Sequence, residues 1–151
     1  MISQIISEFL IRRAVAMHSI NYKDLANWEP WLGCRAVSEA CKNCYYYSQH
    51  SSKFPVGQIE ITNDFYKPLT HIPSEKFVAT CFMTDFFIEE ADKYRSKLWH
   101  IIKNRRDLNF IILTKRVKRV EKCLPNDWKS GYNNVILGCT VENQKRADEI
   151  M

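Results

Sequence analysis

Three short apolar segments in the second half of the chain constrain its fold most strongly. Their length and composition predict buried β-strands over residues 77–83, 109–113 and 134–139. Apolar residues spaced three and four apart predict an amphipathic helix over 86–104, and a second, shorter helix is expected over 117–123. Because strands alternate with helices, we predict an α/β fold with a parallel sheet.

Each predicted strand ends at a polar cluster. Asp85, Lys115 and Glu142, one from each cluster, are 30 and 27 positions apart, which is the length of one βα unit. Ligands of parallel sheets bind at the carboxyl ends of the strands, so these clusters are expected to share one site. The candidate cofactor-binding residues are Asp85, Thr114, Lys115, Arg116, Glu142 and Asn143.

Several of these residues have a structural alternative. Asp85 and Asn143 precede predicted helices and are suited to helix N-termini. Lys115 and Arg116 begin a basic run that extends to Lys122, which is also typical of a solvated helix face.

The densest chemistry lies in a cysteine motif near the N-terminus. Cys34, Cys41 and Cys44 form a C-x6-C-x2-C pattern, and the C-x2-C half places two thiolates within reach of one metal centre. Three thiolates suit a [4Fe–4S] cluster with one open iron, or zinc with a fourth ligand. The candidates for that fourth ligand are His50, Cys81, Cys123 and Cys139, the three cysteines being expected mainly as core residues.

Composition adds bounds on class and location. The 151 residues are 46% hydrophobic, which fits one globular domain and excludes a disordered chain. The formal net charge of +5 permits an anionic ligand or nucleic acid without requiring one. No apolar run reaches the roughly 18–20 residues of a membrane span, and we predict a cytoplasmic protein with reduced cysteines.

The two ends of the sequence carry separate expectations. Residues 1–20 are predicted to be an N-terminal extension. It contains a short amphipathic helix within residues 1–16, which would lie upstream of an alternative start at Met17. A further helix begins at Gln144 and has only about two turns before Met151. We therefore expect a truncated fold rather than a closed one.

Four blocks of this sequence resemble the phage-associated three-Cys-motif proteins, which look like relatives of radical S-adenosylmethionine (SAM) proteins. The blocks begin with Trp28-Glu29-Pro30-Trp31-Leu32-Gly33-Cys34, followed by Ser38 and by Cys41-Lys42-Asn43-Cys44-Tyr45. They continue with Phe82-Met83-Thr84-Asp85-Phe86-Phe87, Leu113-Thr114-Lys115-Arg116 and Leu137-Gly138-Cys139-Thr140-Val141-Glu142-Asn143-Gln144.

This resemblance implies that residues 21–151 are the N-terminal part of a radical SAM-like β/α domain, a partial (β/α) barrel. Cys34, Cys41 and Cys44 would then hold a [4Fe–4S] cluster that cleaves SAM to a 5′-deoxyadenosyl radical. The substrate is unspecified, with nucleic acid as one candidate. The alternatives are a zinc-stabilised nucleic-acid-binding module without catalysis and an inactive truncated relative.

Overall fold

The computed structural model describes residues 20, 24–50, 57–141, 143–144 and 147–148, without the side chains of residues 49 and 50. The predicted N-terminal helix and most of the predicted last helix lie outside these residues. Asn143 accepts a hydrogen bond from the Ala147 N–H (3.0 Å), as expected at the start of a helix. None of the helices in the described part of the chain is long and apolar enough to cross a membrane.

Four parallel strands form the main sheet, in the order β1, β4, β5, β6. Their bounds are Leu25–Trp28 (β1), Phe77–Thr80 (β4), Asn109–Thr114 (β5) and Val135–Cys139 (β6). The α/β class and the parallel sheet are therefore confirmed. The sheet has one more strand than the three apolar segments predicted, because β1 is only four residues long and only its last residue is buried.

The connection between β1 and β4 carries the cysteine motif. It contains β2 (Trp31–Leu32), which pairs antiparallel with β3 (Glu60–Ile61). Between these two strands lie a 3-10 turn over Glu39–Asn43 and helix α1 over Tyr45–His50. After β3, a 3-10 turn over Asn63–Tyr66 leads into the short helix α2, Lys67–Thr70.

Two helices connect the later strands. Helix α3 spans Asp92–Asn104 between β4 and β5, and α4 spans Val117–Cys123 between β5 and β6, as predicted. Leu98 and Ile102 of α3 and Phe110 of β5 are among the fully buried side chains of the core. Trp28 joins this core from β1, with its ring centroid 5.6 Å from that of Phe110.

Two predicted bounds are wrong. The helix expected from residue 86 begins as a 3-10 turn at Glu89 and as an α-helix only at Asp92. The cause is Arg95, which is buried and donates hydrogen bonds to the carbonyl oxygens of Phe86 (2.9 Å) and Ile88 (2.6 Å). The Phe86 oxygen is thus held by a side chain, and the Ile88 oxygen is shared between Arg95 and the Ala91 N–H (3.2 Å) of the 3-10 turn, so the segment before Glu89 stays a buried loop.

The strand expected over 77–83 ends at Thr80 instead. The next residue, Cys81, has a φ of 58°, in the left-handed region that turns an extended chain. The turn directs the following residues across the carboxyl end of the sheet, where Asp85 lies.

Candidate cysteine-lined site

The three motif cysteines are held by a short, hydrogen-bonded segment. Cys34 follows β2, Cys41 lies in the 3-10 turn, and Cys44 ends that turn just before α1. The Cys44 N–H donates to the Cys41 carbonyl oxygen (3.2 Å), and the Cys41 N–H donates to the Ser38 carbonyl oxygen (3.2 Å). The C-x2-C half of the motif is thus one turn, as its spacing predicts.

Gly33 fixes the path of the chain into Cys34. Its φ is 103°, and a Cβ at this position would lie 1.9 Å from the Gln58 carbonyl oxygen. A residue with a side chain would therefore be both strained and in collision with the backbone beside β3. The close approach of these two backbone segments requires glycine immediately before the first cysteine.

One cavity brings the motif and the sheet together. It has a volume of about 520 Å³, within the range of small-molecule sites. Its lining includes all three motif cysteines and residues from the carboxyl ends of three parallel strands: Cys34, Cys41, Cys44, Cys81, Thr84, Asp85, Thr114, Lys115, Arg116 and Thr140. The sequence predicted separately that the cysteines hold a metal and that the strand ends bind a ligand, and the structure places both groups around the same cavity.

Three of the candidate cofactor-binding residues bind one another. Both Asp85 carboxylate oxygens accept from the Thr114 hydroxyl (2.8 and 2.9 Å), and Oδ2 also lies 3.2 Å from Arg116 Nη1. Asp85 additionally accepts from the Phe87 N–H (2.8 Å), which holds the turn after β4. The helix-entry role considered for Asp85 is not observed, because the helical segment begins only at Glu89. Asp85, Thr114 and Arg116 are all buried, so they form the floor of the cavity.

Arg116 also connects this floor to the cysteine segment. Its Nη2 donates to the Arg35 carbonyl oxygen (2.6 Å), next to Cys34. Burial alone would lower the pKa of the Arg116 guanidinium, but attraction to Asp85 and to the Cys34 thiol outweighs it and raises the pKa. Arg116 is therefore a fixed positive charge beside the first cysteine.

The environments of two motif thiols differ in their effect on ionisation. Burial raises the pKa of Cys34, with the charge of Arg116 offsetting part of the effect. Burial also acts to raise the pKa of Cys41, but hydrogen bonds, including one with the Ser38 hydroxyl (3.5 Å), and the charge of Lys115 lower it overall. Cys41 is thus the thiol of this pair that ionises more readily, and a thiolate is the form that binds metals.

The remaining predicted residues divide between the cavity and other places. Lys115 lines the cavity, whereas Asn143 is exposed and is not among the lining residues. Glu142 and the side chain of His50 lie outside the described residues. Cys81 lines the cavity and belongs to the buried core, while Cys123 and Cys139 are half-buried outside the cavity lining.

Glu29 is a half-buried residue that the sequence analysis did not single out. It follows β1 at the carboxyl edge of the sheet, and its Oε1 accepts from the Met83 N–H (3.0 Å), while its Oε2 is buried without a hydrogen-bond partner among the described residues. Burial raises its pKa from the ordinary 4.5 to about 7, although hydrogen bonds from the backbone of Met83 and Phe82 oppose the shift. Recognising β1 as a fourth parallel strand would have pointed to it, because a polar residue follows this strand as well.

The donor set of the cavity suits a thiolate-bound centre. Three cysteines of one short segment line it, together with Tyr47, whose buried hydroxyl has no hydrogen-bond partner within the described ranges. In that same part of the chain, no group of three or more His, Cys, Asp or Glu side chains is arranged to hold a metal ion. Thiolates that bind an iron–sulfur cluster bind separate irons and need not converge on one ion.

Fold and site together define an α/β protein in which a cysteine-bearing connection and the carboxyl edge of a parallel sheet enclose one cavity. Residues 17–151 match the model of the family described as protein of unknown function DUF5131, and the chain belongs to that family. No curated protein and no solved structure matches the chain.

Proposed function

We propose that this chain is an iron–sulfur protein of the radical SAM-like type, with Cys34, Cys41 and Cys44 as ligands of a [4Fe–4S] cluster. The observation that carries the proposal is the single cavity that these cysteines share with the carboxyl ends of β4, β5 and β6. That edge is where parallel α/β sheets bind their ligands. The sequence resemblance to the three-Cys-motif proteins supports the same assignment.

Three hydrogen bonds support the proposed site by tying the cysteine segment to the strand ends. Thr84 Oγ1 donates to the Gly33 carbonyl oxygen, and the Tyr45 hydroxyl donates to the Phe82 carbonyl oxygen (2.6 Å). The third is the bond from Arg116 to the Arg35 carbonyl oxygen. A metal site needs ligands held in place by their surroundings, and these contacts supply that support on both sides of Cys34.

A second ligand of the cavity is proposed to be SAM. When bound and reduced, a [4Fe–4S] cluster with one open iron would supply one electron to SAM, breaking its S–C5′ bond to leave methionine and a 5′-deoxyadenosyl radical. We propose that Lys115 meets the SAM carboxylate, because it lines the cavity and its positive charge acts on Cys41 there. Thr140, at the end of β6, offers a neutral hydroxyl in the same cavity.

Metal analysis after anaerobic reconstitution with iron and sulfide tests the cluster. The wild-type chain should take up roughly four irons and four sulfides. Cys41→Ala should lose most of this uptake, and Cys123→Ala, which removes a cysteine outside the cavity lining, should retain it. One equivalent of zinc with no iron uptake, or equal iron uptake by wild type and Cys41→Ala, would contradict the proposal.

The nucleic-acid-binding alternative receives less support from the basic run at residues 115–122. Arg116 is buried against Asp85, and Arg119 lies 2.5 Å from Asp92 and 3.4 Å from Glu89. These arginines are engaged by acids of the same chain, so the run does not present a continuous cationic face to phosphates.

A further inference from the structure

Three consecutive tyrosines begin helix α1, directly after Cys44, and their side chains have different surroundings. Tyr45 is exposed and donates to the Phe82 carbonyl oxygen, while Tyr46 is almost fully buried. Tyr47 is half-buried and lines the cavity, and its ring packs edge-on against that of Tyr46 at a centroid distance of 5.6 Å.

All three tyrosines line the cavity, so lining alone does not distinguish Tyr47. Its hydroxyl oxygen is buried, and it has no hydrogen-bond partner in the described part of the chain. A buried hydroxyl without a partner costs about 1–3 kcal/mol, and a phenylalanine would fill the same place without that cost. The oxygen therefore calls for an explanation other than packing.

Tyr47 lines the same cavity as the three motif cysteines. Burial raises its pKa to about 12, and the charges of Cys34, Cys41 and Cys44 add to the effect, with Arg116 opposing it. For Tyr46, burial also raises the pKa, but a hydrogen bond with the backbone of Gly33 opposes the effect. Tyr47 keeps its proton at neutral pH and can therefore act as a hydrogen-bond donor.

We propose that the Tyr47 hydroxyl donates a hydrogen bond to a sulfur atom of the centre held by Cys34, Cys41 and Cys44. The proposal rests on the cluster assigned above and makes Tyr47 a positioning and tuning residue rather than a ligand. A hydrogen bond to cluster sulfur stabilises the reduced state, which carries more negative charge, and so raises the reduction potential. Tyr47 would thereby contribute to how easily the cluster accepts its electron.

Two measurements on Tyr47→Phe test this role. Tyr66→Phe is the control, because Tyr66 is exposed and lies outside the cavity lining. Without a cluster, Tyr47→Phe should be at least as stable as wild type to urea, because the lost oxygen has no hydrogen-bond partner among the described residues. With the cluster, the reduction equilibrium of Tyr47→Phe should shift about tenfold toward the oxidised form, or about 59 mV for one electron. Tyr66→Phe should match wild type in the potential.

The outcomes separate this inference from the function on which it rests. If wild type takes up no iron and sulfide, the cluster assignment fails and the role of Tyr47 fails with it. If wild type and Tyr47→Phe bind equal iron and have the same potential, the cluster assignment stands and the role of Tyr47 is overturned. A cluster-free Tyr47→Phe chain that is unstable or unfolded would show a structural role for the hydroxyl and would also overturn it.

Discussion

Arg116 Nη1 lies 3.2 Å from Asp85 Oδ2, and both side chains are buried at the carboxyl edge of the sheet. The pair connects the loop after β4 to the end of β5, and through the Arg35 carbonyl oxygen it reaches the cysteine segment. A buried ion pair of this kind is a weak source of net stability, but removing one partner leaves a costly unpaired charge.

Arg116→Ala should therefore destabilise the chain by about 3–5 kcal/mol, because it leaves the Asp85 carboxylate buried without its counter-charge. Urea unfolding followed by circular dichroism measures the loss. Arg35→Ala is the control, since the Arg35–Glu89 pair is solvent-exposed and such pairs contribute about 0–1 kcal/mol. Equal losses in the two variants would show that the Asp85–Arg116 pair does not hold this edge together.

Gly33 and Gly57 form a matched pair for testing the approach to Cys34. Both have positive φ angles, 103° and 74°, but an added Cβ at Gly57 meets nothing within 4 Å. Gly57→Ala should cost about 1–2 kcal/mol from the left-handed backbone alone. Gly33→Ala should cost clearly more, because the added Cβ also collides with the Gln58 carbonyl oxygen, and it should lower iron uptake as Cys34 moves. Equal unfolding midpoints for the two variants would contradict the predicted collision.

The sequence was sufficient to predict those parts of the molecule that depend on local pattern. The apolar runs gave β5 and β6, and the spacing of the cysteines gave the turn that joins Cys41 to Cys44. Beyond that, β1 could not be recognised, since four residues with one buried side chain carry no periodic signal.

The partners of the strand-end residues could not be predicted either, because they depend on contacts distant in sequence. Arg116 contacts the Arg35 carbonyl oxygen 81 positions away, and Thr114 contacts Asp85 across 29. Residue type marked these groups as candidates for a strand-end site, and their binding of a ligand stays a prediction. It could not indicate that Asp85 and Arg116 would bind each other.

Glu29 should make stability depend on pH near neutrality. Its folded-state pKa is raised from 4.5 to about 7 by burial, with Asp64 adding to the shift and Lys67 opposing it. Between these two values the unfolded chain loses the proton while the folded chain keeps it, so wild-type stability falls as pH rises through this window. At 1.36 kcal/mol per pKa unit, the loss is about 3 kcal/mol and is complete above pH 7.

Glu29→Gln isolates this effect because its amide oxygen can still accept from the Met83 N–H. The stability of the variant relative to wild type should rise by about 3 kcal/mol from pH 4.5 to pH 8, in a series of urea unfolding curves. Glu60→Gln, at an exposed position on β3, should show no comparable trend. A flat difference between Glu29→Gln and wild type across this range would mean that Glu29 ionises at its ordinary pH.

The Ser38 hydroxyl should set the ionisation of Cys41. Cys41 has a lowered pKa, to which the hydrogen bond with Ser38 contributes, whereas the pKa of Cys34 is raised mainly by burial. In the metal-free chain, alkylation by iodoacetamide, read by peptide mass spectrometry, should therefore reach half its maximal rate at a lower pH for Cys41 than for Cys34. Ser38→Ala should move the Cys41 midpoint to higher pH and leave that of Cys34 in place. Because each midpoint is normalised to its own maximal rate, a difference in accessibility between the two thiols does not affect the comparison. A Cys41 midpoint at or above that of Cys34 would contradict the assigned order of ionisation.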